Sequence, residues 1–164
     1  MKQTQAFLST YTADVSGVCS ALFELGGMTV MHDASGCNST YNTHDEPRWY
    51  DMDSLVYISG LSELEAVMGD DEKLISDVSD AARQLHPRFI ALAGTPIPMI
   101  TGCDLPAIAR EVEGRTKIPS FAVPSNGIGT YVAGAGQALR LYAERFVLPA
   151  HEKKKNAVNI LGAT

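Results

Sequence analysis

The stretch DDEKLISDVSDAARQLHPRFIALA, residues 70–93, sets a predicted helix directly before a predicted strand. Asp70, Asp71 and Glu72 place negative charge at the helix start, where free backbone N–H groups and the helix dipole favour it. Leu74, Val78, Ala81 and Leu85 recur at helical spacing as one apolar stripe, and Pro87 lies just beyond the end. Phe89 to Ala93 then runs apolar on both faces, as a parallel strand covered by helices on either side does.

The same alternation extends in both directions. Upstream, Asp14 to Leu25 carries Val15, Val18, Leu22 and Leu25 on one face and stops at Gly26-Gly27, and short apolar strands follow at Met28 to Met31 and Leu55 to Ile58. Downstream, a helix from Leu105 to Val112 has Pro106 in its first turn and is expected to end at Gly114. A strand at Phe121 to Val123 precedes the longest helix, from about Gly129 to Val147, which mixes Ala133, Ala138, Leu139, Tyr142 and Phe146 and closes before Pro149. Strands alternating with helices imply βαβ units, and hence an α/β, doubly wound, mostly parallel sheet of Rossmann-like type with helices on both faces.

Ligands bind such sheets outside the carboxyl ends of the strands. The turns at Asp33 to Tyr41, Ser59 to Glu63, Gly94 to Thr101 and Pro124 to Gly129 are therefore expected to share one rim. Residues 1–150 read as a first α/β domain. Residues 151–164 read as a charged linker, His151 to Asn156, and the start of a strand at Val158 to Leu161 that opens a further domain or completes this sheet's edge.

Composition limits the chemistry. The 164 residues are 45% hydrophobic and 20% charged, with 13 Lys and Arg against 19 Asp and Glu, a net charge of -6 that disfavours nucleic-acid binding. No apolar run reaches the ~20 residues that span a bilayer, and the first residues lack a secretory layout, so the expectation is a cytoplasmic protein without a membrane anchor. Three cysteines, Cys19, Cys37 and Cys103, are too few and scattered for a disulfide framework and read as thiols.

Cys37 follows a predicted strand on the expected rim, and Gly36 beside it permits a tight turn and close backbone approach to a ligand. A thiolate there serves as nucleophile or metal ligand; a small buried residue at a strand end is the alternative. Cys19 lies beside Val18 and Leu22 on the apolar side of its helix, where core packing is the stronger reading. Cys103 precedes a helix whose N-terminus is able to lower its pKa, but the incidental reading is favoured. No Cys-x-x-Cys and no His-x-x-x-His pair occurs, and His86 reads as a dipole partner at a helix end. A cluster held by four thiolates would therefore draw ligands from a second subunit or from non-Cys groups. Gly127-Ile-Gly129 has the look of a dinucleotide turn, yet the next glycine is Gly134, so close packing at a helix entrance is favoured; no phosphate-binding loop is present.

Several stretches, in order, resemble the component 1 subunits of nitrogenase and nitrogenase-like oxidoreductases, including the dark-operative protochlorophyllide reductase and the nickel-tetrapyrrole reductases. Ser35-Gly-Cys37 followed by Tyr41-Asn-Thr-His44-Asp-Glu46-Pro47 resembles the family's cluster-cysteine turn. Ser62-Glu63-Leu-Glu65-Ala-Val-Met-Gly69 is similar to the acidic segment leading to Val-Phe-Gly-Gly. Pro87 to Thr95 with Gly102-Cys-Asp104-Leu105 resembles the strand and loop bearing a later cluster cysteine; Pro124 to Gly134 resembles a Gly-x-x-x-Gly helix entrance; and Val158-Asn-Ile-Leu-Gly162 resembles the strand opening a second domain.

The resemblance implies a first domain of a three-domain subunit, paired with a second component 1-like subunit around an interface iron-sulfur cluster, with electrons from an ATP-dependent iron-sulfur reductase protein. It implies Cys37 as cluster ligand, with earlier and later ligand positions near Thr12 and near Thr95 or Pro96. Cys19, two helical turns after Thr12, substitutes on the same face in this reading, so that two chains each giving Cys19 and Cys37 supply four thiolates for one [4Fe-4S] cluster, with Gly36 and Thr95 as further cofactor-facing residues. A second reading keeps the fold without the catalysis, as a binding or assembly scaffold for a metallocofactor or tetrapyrrole.

Overall fold

The computed structural model describes residues 13–34, 51, 55–148 and 158. Four strands, β1 (Met28–Met31), β2 (Val56–Ile58), β3 (Ile90–Ala93) and β4 (Ser120–Val123), pair in parallel in the order β2-β1-β3-β4. Met31 stands opposite Ile58 on one side and Ala93 on the other, and Ala93 opposite Val123, so the four carboxyl ends lie level. The doubly wound parallel sheet expected from the sequence is present.

Strand alternation divides the core into two layers. Met28 and Val30 of β1 and Ile90 and Leu92 of β3 pack with Leu74, Ile75 and Val78 of α3 (Asp71–Leu85) and with Ile108 and Val112 of α5 (Leu105–Thr116). Met31, Ala91 and Ala93 face the other way, against Val15, Val18, Cys19 and Leu22 of α1 (Asp14–Leu22) and Ala138 of α6 (Tyr131–Phe146). Phe89, 1% exposed, anchors α6 through ring contacts with Tyr142 and Phe146.

α1 and α6 touch backbone to backbone. A Cβ on Gly17 would strike the Tyr131 carbonyl oxygen, and one on Gly134 would strike that of Asp14. Gly134 is thus a packing glycine, which settles the dinucleotide-like spacing in favour of helix contact. Asp14 completes the junction: its carboxylate accepts hydrogen bonds from the backbone N–H groups of Val15 (2.8 Å), Asn126 (3.0 Å) and Gly127 (2.8 Å).

The first helix stops at the expected Gly26, and several details differ from expectation. The first helix tightens into a 3-10 turn at Phe23–Leu25 and ends at left-handed Gly26. α5 runs through Gly114 to Thr116, because the Asp104 cap, Pro106 and an Arg115–Glu111 pair outweigh the ~1 kcal/mol that one glycine costs a helix. The turns after β2 and β3 contain short helices, α2 (Glu63–Met68) and α4 (Pro96–Thr101). His86 caps α3 with its left-handed backbone, its N–H donating to Ala82, rather than with its ring. The expected strand at Val158 to Leu161 and the boundary at residue 150 lie outside the described residues, Val158 alone excepted.

Candidate functional site

From β1 the chain goes to one neighbour, β2, and from β3 to the opposite one, β4, so the crevice of the sheet opens between the carboxyl ends of β1 and β3. Three hydroxyl groups, each one or two residues past a strand, lace this rim. Thr95 Oγ1, buried after β3, donates to the His32 carbonyl after β1 (2.7 Å). Ser125 Oγ, after β4, donates to the Gly94 carbonyl (2.9 Å). Ser59 Oγ, after β2, lies 2.9 Å from His32 Nδ1, accepts from the Asp33 N–H (3.1 Å) and donates to the Asp33 carbonyl (3.3 Å). Each bond satisfies a polar group at a strand end where the ladder stops, and together they fix the relative positions of the loops that follow.

Two clefts flank the lacing. An apolar one of about 260 Å³ lies at the ends of β3 and β4, walled by Pro98, Met99, Leu105 and Val123. A polar one of about 300 Å³ lies beside the end of β1, walled by His32, Glu65, Asp70, Asp71, Cys103 and Asp104. Burial pushes the His32 pKa below its ordinary 6.5 against the opposing pull of Asp71, Asp33 and Glu65, while Lys73 adds to the lowering. Neutral imidazole is therefore the resting form near pH 7.

The expected site residues that are described, Cys19 and Thr95, bring no thiolate to this rim. Cys37 and Gly36 lie outside the described residues, as does Thr12. Cys19 is 5% exposed in the apolar layer beneath α1, and burial pushes its thiol up to about 12, so it is a protonated core side chain at neutral pH. Thr95 reaches the rim, but its hydroxyl is committed to His32. Pro96 is the first residue of α4. Cys103 is not acidified, in keeping with its incidental reading: burial and then the charges of Asp71 and Asp104 push it up to about 11, with Asp71 Oδ1 4.0 Å from its sulfur. Among the described residues no three His, Cys, Asp or Glu side chains come together as a metal site. They do not by themselves fit an iron-sulfur cluster, which takes thiolates.

Sequence reasoning put Ser59 in a rim turn but assigned no role to it or to His32. Both directly follow strands, and that position at the carboxyl edge is the signal that would have found them.

Comparison with known proteins agrees with this architecture. The family model described as nitrogenase component 1 type oxidoreductase matches residues 14–164. The nitrogenase molybdenum-iron protein beta chain of Bradyrhizobium diazoefficiens is 26% identical over 144 residues, covering 80% of this chain and 28% of that relative. Two solved structures titled nitrogenase Cp1, at pH 6.5 and at pH 5, superpose with TM-scores of 0.71 and 0.68 at 17% identity. They cover 95% and 94% of this chain but 32% and 33% of those chains, so this chain spans about a third of their length. Among the described residues no helix is long and apolar enough to cross a membrane. With the model matching nearly the whole sequence and the parallel sheet in place, the chain belongs to the nitrogenase component 1 type oxidoreductase family.

Proposed function

We propose that this chain is the first domain of a nitrogenase-like oxidoreductase subunit that gives one thiolate, Cys37, to a [4Fe-4S] cluster shared with a second component 1-like subunit. Cys37 would help hold that cluster, and the electrons it carries would come from an ATP-dependent iron-sulfur protein in the cytoplasm. The observation that carries this reading is the laced rim: Thr95 and Ser59 tie β3 and β2 to the end of β1, from which the chain leads through Ala34 to Gly36 and Cys37. A turn that presents a thiolate to a metal group needs a rigid base, and such supporting bonds are what hold ligands in register.

In this reading Cys19 is a core residue and Thr95 a positioning residue, so the shared cluster draws its other ligands from elsewhere in the assembly. The group supplies the electron-carrying capacity; this chain supplies one ligand and a fixed frame. The same two side chains favour a second reading, a non-catalytic scaffold for a metallocofactor or tetrapyrrole, because neither offers a thiolate to the rim.

The test is anaerobic reconstitution of the full-length assembly, followed by iron and sulfide assay and visible absorption. The expected result is a thiolate-iron absorption band that bleaches on mixing with the ATP-hydrolysing partner. Iron retained without partner-dependent bleaching supports the scaffold, and no iron retained removes the cluster reading.

A further inference from the structure

We propose that Asp14 is a built-in anion: its carboxylate fills a backbone pocket in the turn between β4 and α6, and by filling it holds one wall of the apolar cleft in place. The inference goes beyond the cluster reading and stands without it.

Every backbone N–H from Asn126 to Gly129 is met by a side-chain oxygen. Those of Asn126 (3.0 Å) and Gly127 (2.8 Å) donate to the two carboxylate oxygens of Asp14. Those of Ile128 (2.9 Å) and Gly129 (3.2 Å) donate to Asn126 Oδ1. Two consecutive N–H groups converging on one group form an anion-binding concavity, and Gly127, with φ of 75°, supplies its left-handed residue. In dinucleotide-binding domains a glycine turn between strand and helix takes phosphate. Here a carboxylate from the same chain, 112 residues before Asn126, takes that place.

Asp14 is 4% exposed, and among the described residues no Lys or Arg pairs with it. A carboxylate buried without a counter-ion is held by dipoles or not at all. Asp14 meets that need twice. It stands in the first turn of α1, where the helix dipole favours negative charge, and it accepts the three N–H bonds from Val15, Asn126 and Gly127. Gly129 lets the turn close over it, since a Cβ there would lie 2.8 Å from Asp14 Oδ2.

The turn held in this way is part of a cavity wall. Pro124, Ser125 and Asn126 line the apolar cleft, and Gly127 backs onto Pro96, where a Cβ would lie 2.6 Å from the proline Cδ. Without the Asp14 carboxylate, two N–H groups of the turn lose their acceptors and must open to water to be satisfied. The start of α1 thus sets the position of the cleft wall.

The test is residue-resolved amide hydrogen exchange of the full chain at pH 7.5, comparing the unaltered chain with Asp14→Ala in sodium formate and in sodium chloride of equal ionic strength. Formate is the carboxylate that the substitution removes. In chloride, Asn126 and Gly127 of Asp14→Ala are expected to exchange about tenfold faster or more. The melting temperature is expected to fall by about 5 °C or more. Formate is expected to restore both saturably and to leave the unaltered chain as it is. Unchanged protection of both amides in Asp14→Ala, no difference between formate and chloride in a folded variant, or rapid exchange of either amide in the unaltered chain overturns the proposal. Folding of Asp14→Ala only in formate is the same rescue in stronger form. Should the variant stay unfolded in both salts, Asp14→Asn decides: it keeps the shape but sets an amide nitrogen where one carboxylate oxygen stood, so one of the two N–H groups loses its protection. Full protection of both in Asp14→Asn overturns the proposal.

Discussion

The Thr95 hydroxyl and the His32 carbonyl, 63 residues apart in sequence, meet in a buried 2.7 Å hydrogen bond that joins β3 to β1 beyond the end of their ladder. The position that the family resemblance marks for a cluster ligand is occupied here by a strut. Thr95→Val removes the donor and keeps the shape, leaving a buried carbonyl unsatisfied. The expected loss is about 1–3 kcal/mol of folding stability in urea denaturation, with Thr95→Ser retaining most of it. A valine variant of unchanged stability would remove the strut from the account.

The close α1–α6 contact predicts opposite outcomes for the same substitution. Gly17→Ala and Gly134→Ala each push a methyl group into a neighbouring backbone carbonyl and are expected to cost about 3 kcal/mol or more, or to prevent folding. Gly136→Ala, on the open side of α6 with nothing within 4 Å, is expected to stabilise by about 0.5–1 kcal/mol. Thermal denaturation of the three variants checks this, and equal effects at all three positions would contradict the packing.

His32 makes stability depend on pH with a definite sign. The unfolded ring takes its proton near 6.5 and the folded ring only at lower pH, so between those values the unfolded chain binds more protons. Its contribution is fully present above 6.5 and is lost as pH falls toward the folded pKa. Denaturation at pH 7.5 and at pH 5 is expected to show a larger drop for the unaltered chain than for His32→Gln; identical drops would show that the ring is not held neutral.

Thiol chemistry separates two of the cysteines. With Cys19 pushed up to about 12 and buried, iodoacetamide at pH 7.5 is expected to leave it unmodified until the chain unfolds. Cys103, up to about 11 and half-buried, is expected to react about 100-fold more slowly than a free thiol, since its thiolate fraction is smaller by at least that factor. Peptide mapping after timed alkylation reads both, and labelling of Cys19 in the folded chain would contradict its place in the core.

How much of this was readable beforehand depended on whether the signal was local. β1 was placed to the residue and β3 within one, because their apolar runs are buried on both faces and flanked by breakers. α2 escaped because none of its residues is buried, so it carries no inward apolar stripe; its sole mark is the capping box of Ser62 and Glu65. α4 holds Pro96 and Pro98 and reads as a loop, although a proline in the first turn suits a helix start. At the carboxyl edge, the sequence brought the turns after β2, β3 and β4 together but did not give the bonds across them. Whether Thr95 faces a cofactor or a carbonyl is decided by a residue 63 positions away, and whether Cys19 is a ligand or a core side chain is decided by what α1 covers.

The most direct test of the central claim is the iron content of the anaerobically reconstituted full-length assembly in two variants measured side by side, Cys37→Ala and Cys19→Ala. The account predicts that Cys37→Ala loses most of the bound iron while its far-ultraviolet circular dichroism is unchanged, and that Cys19→Ala keeps it. Full iron retention in Cys37→Ala, or iron loss in a folded Cys19→Ala, would contradict it.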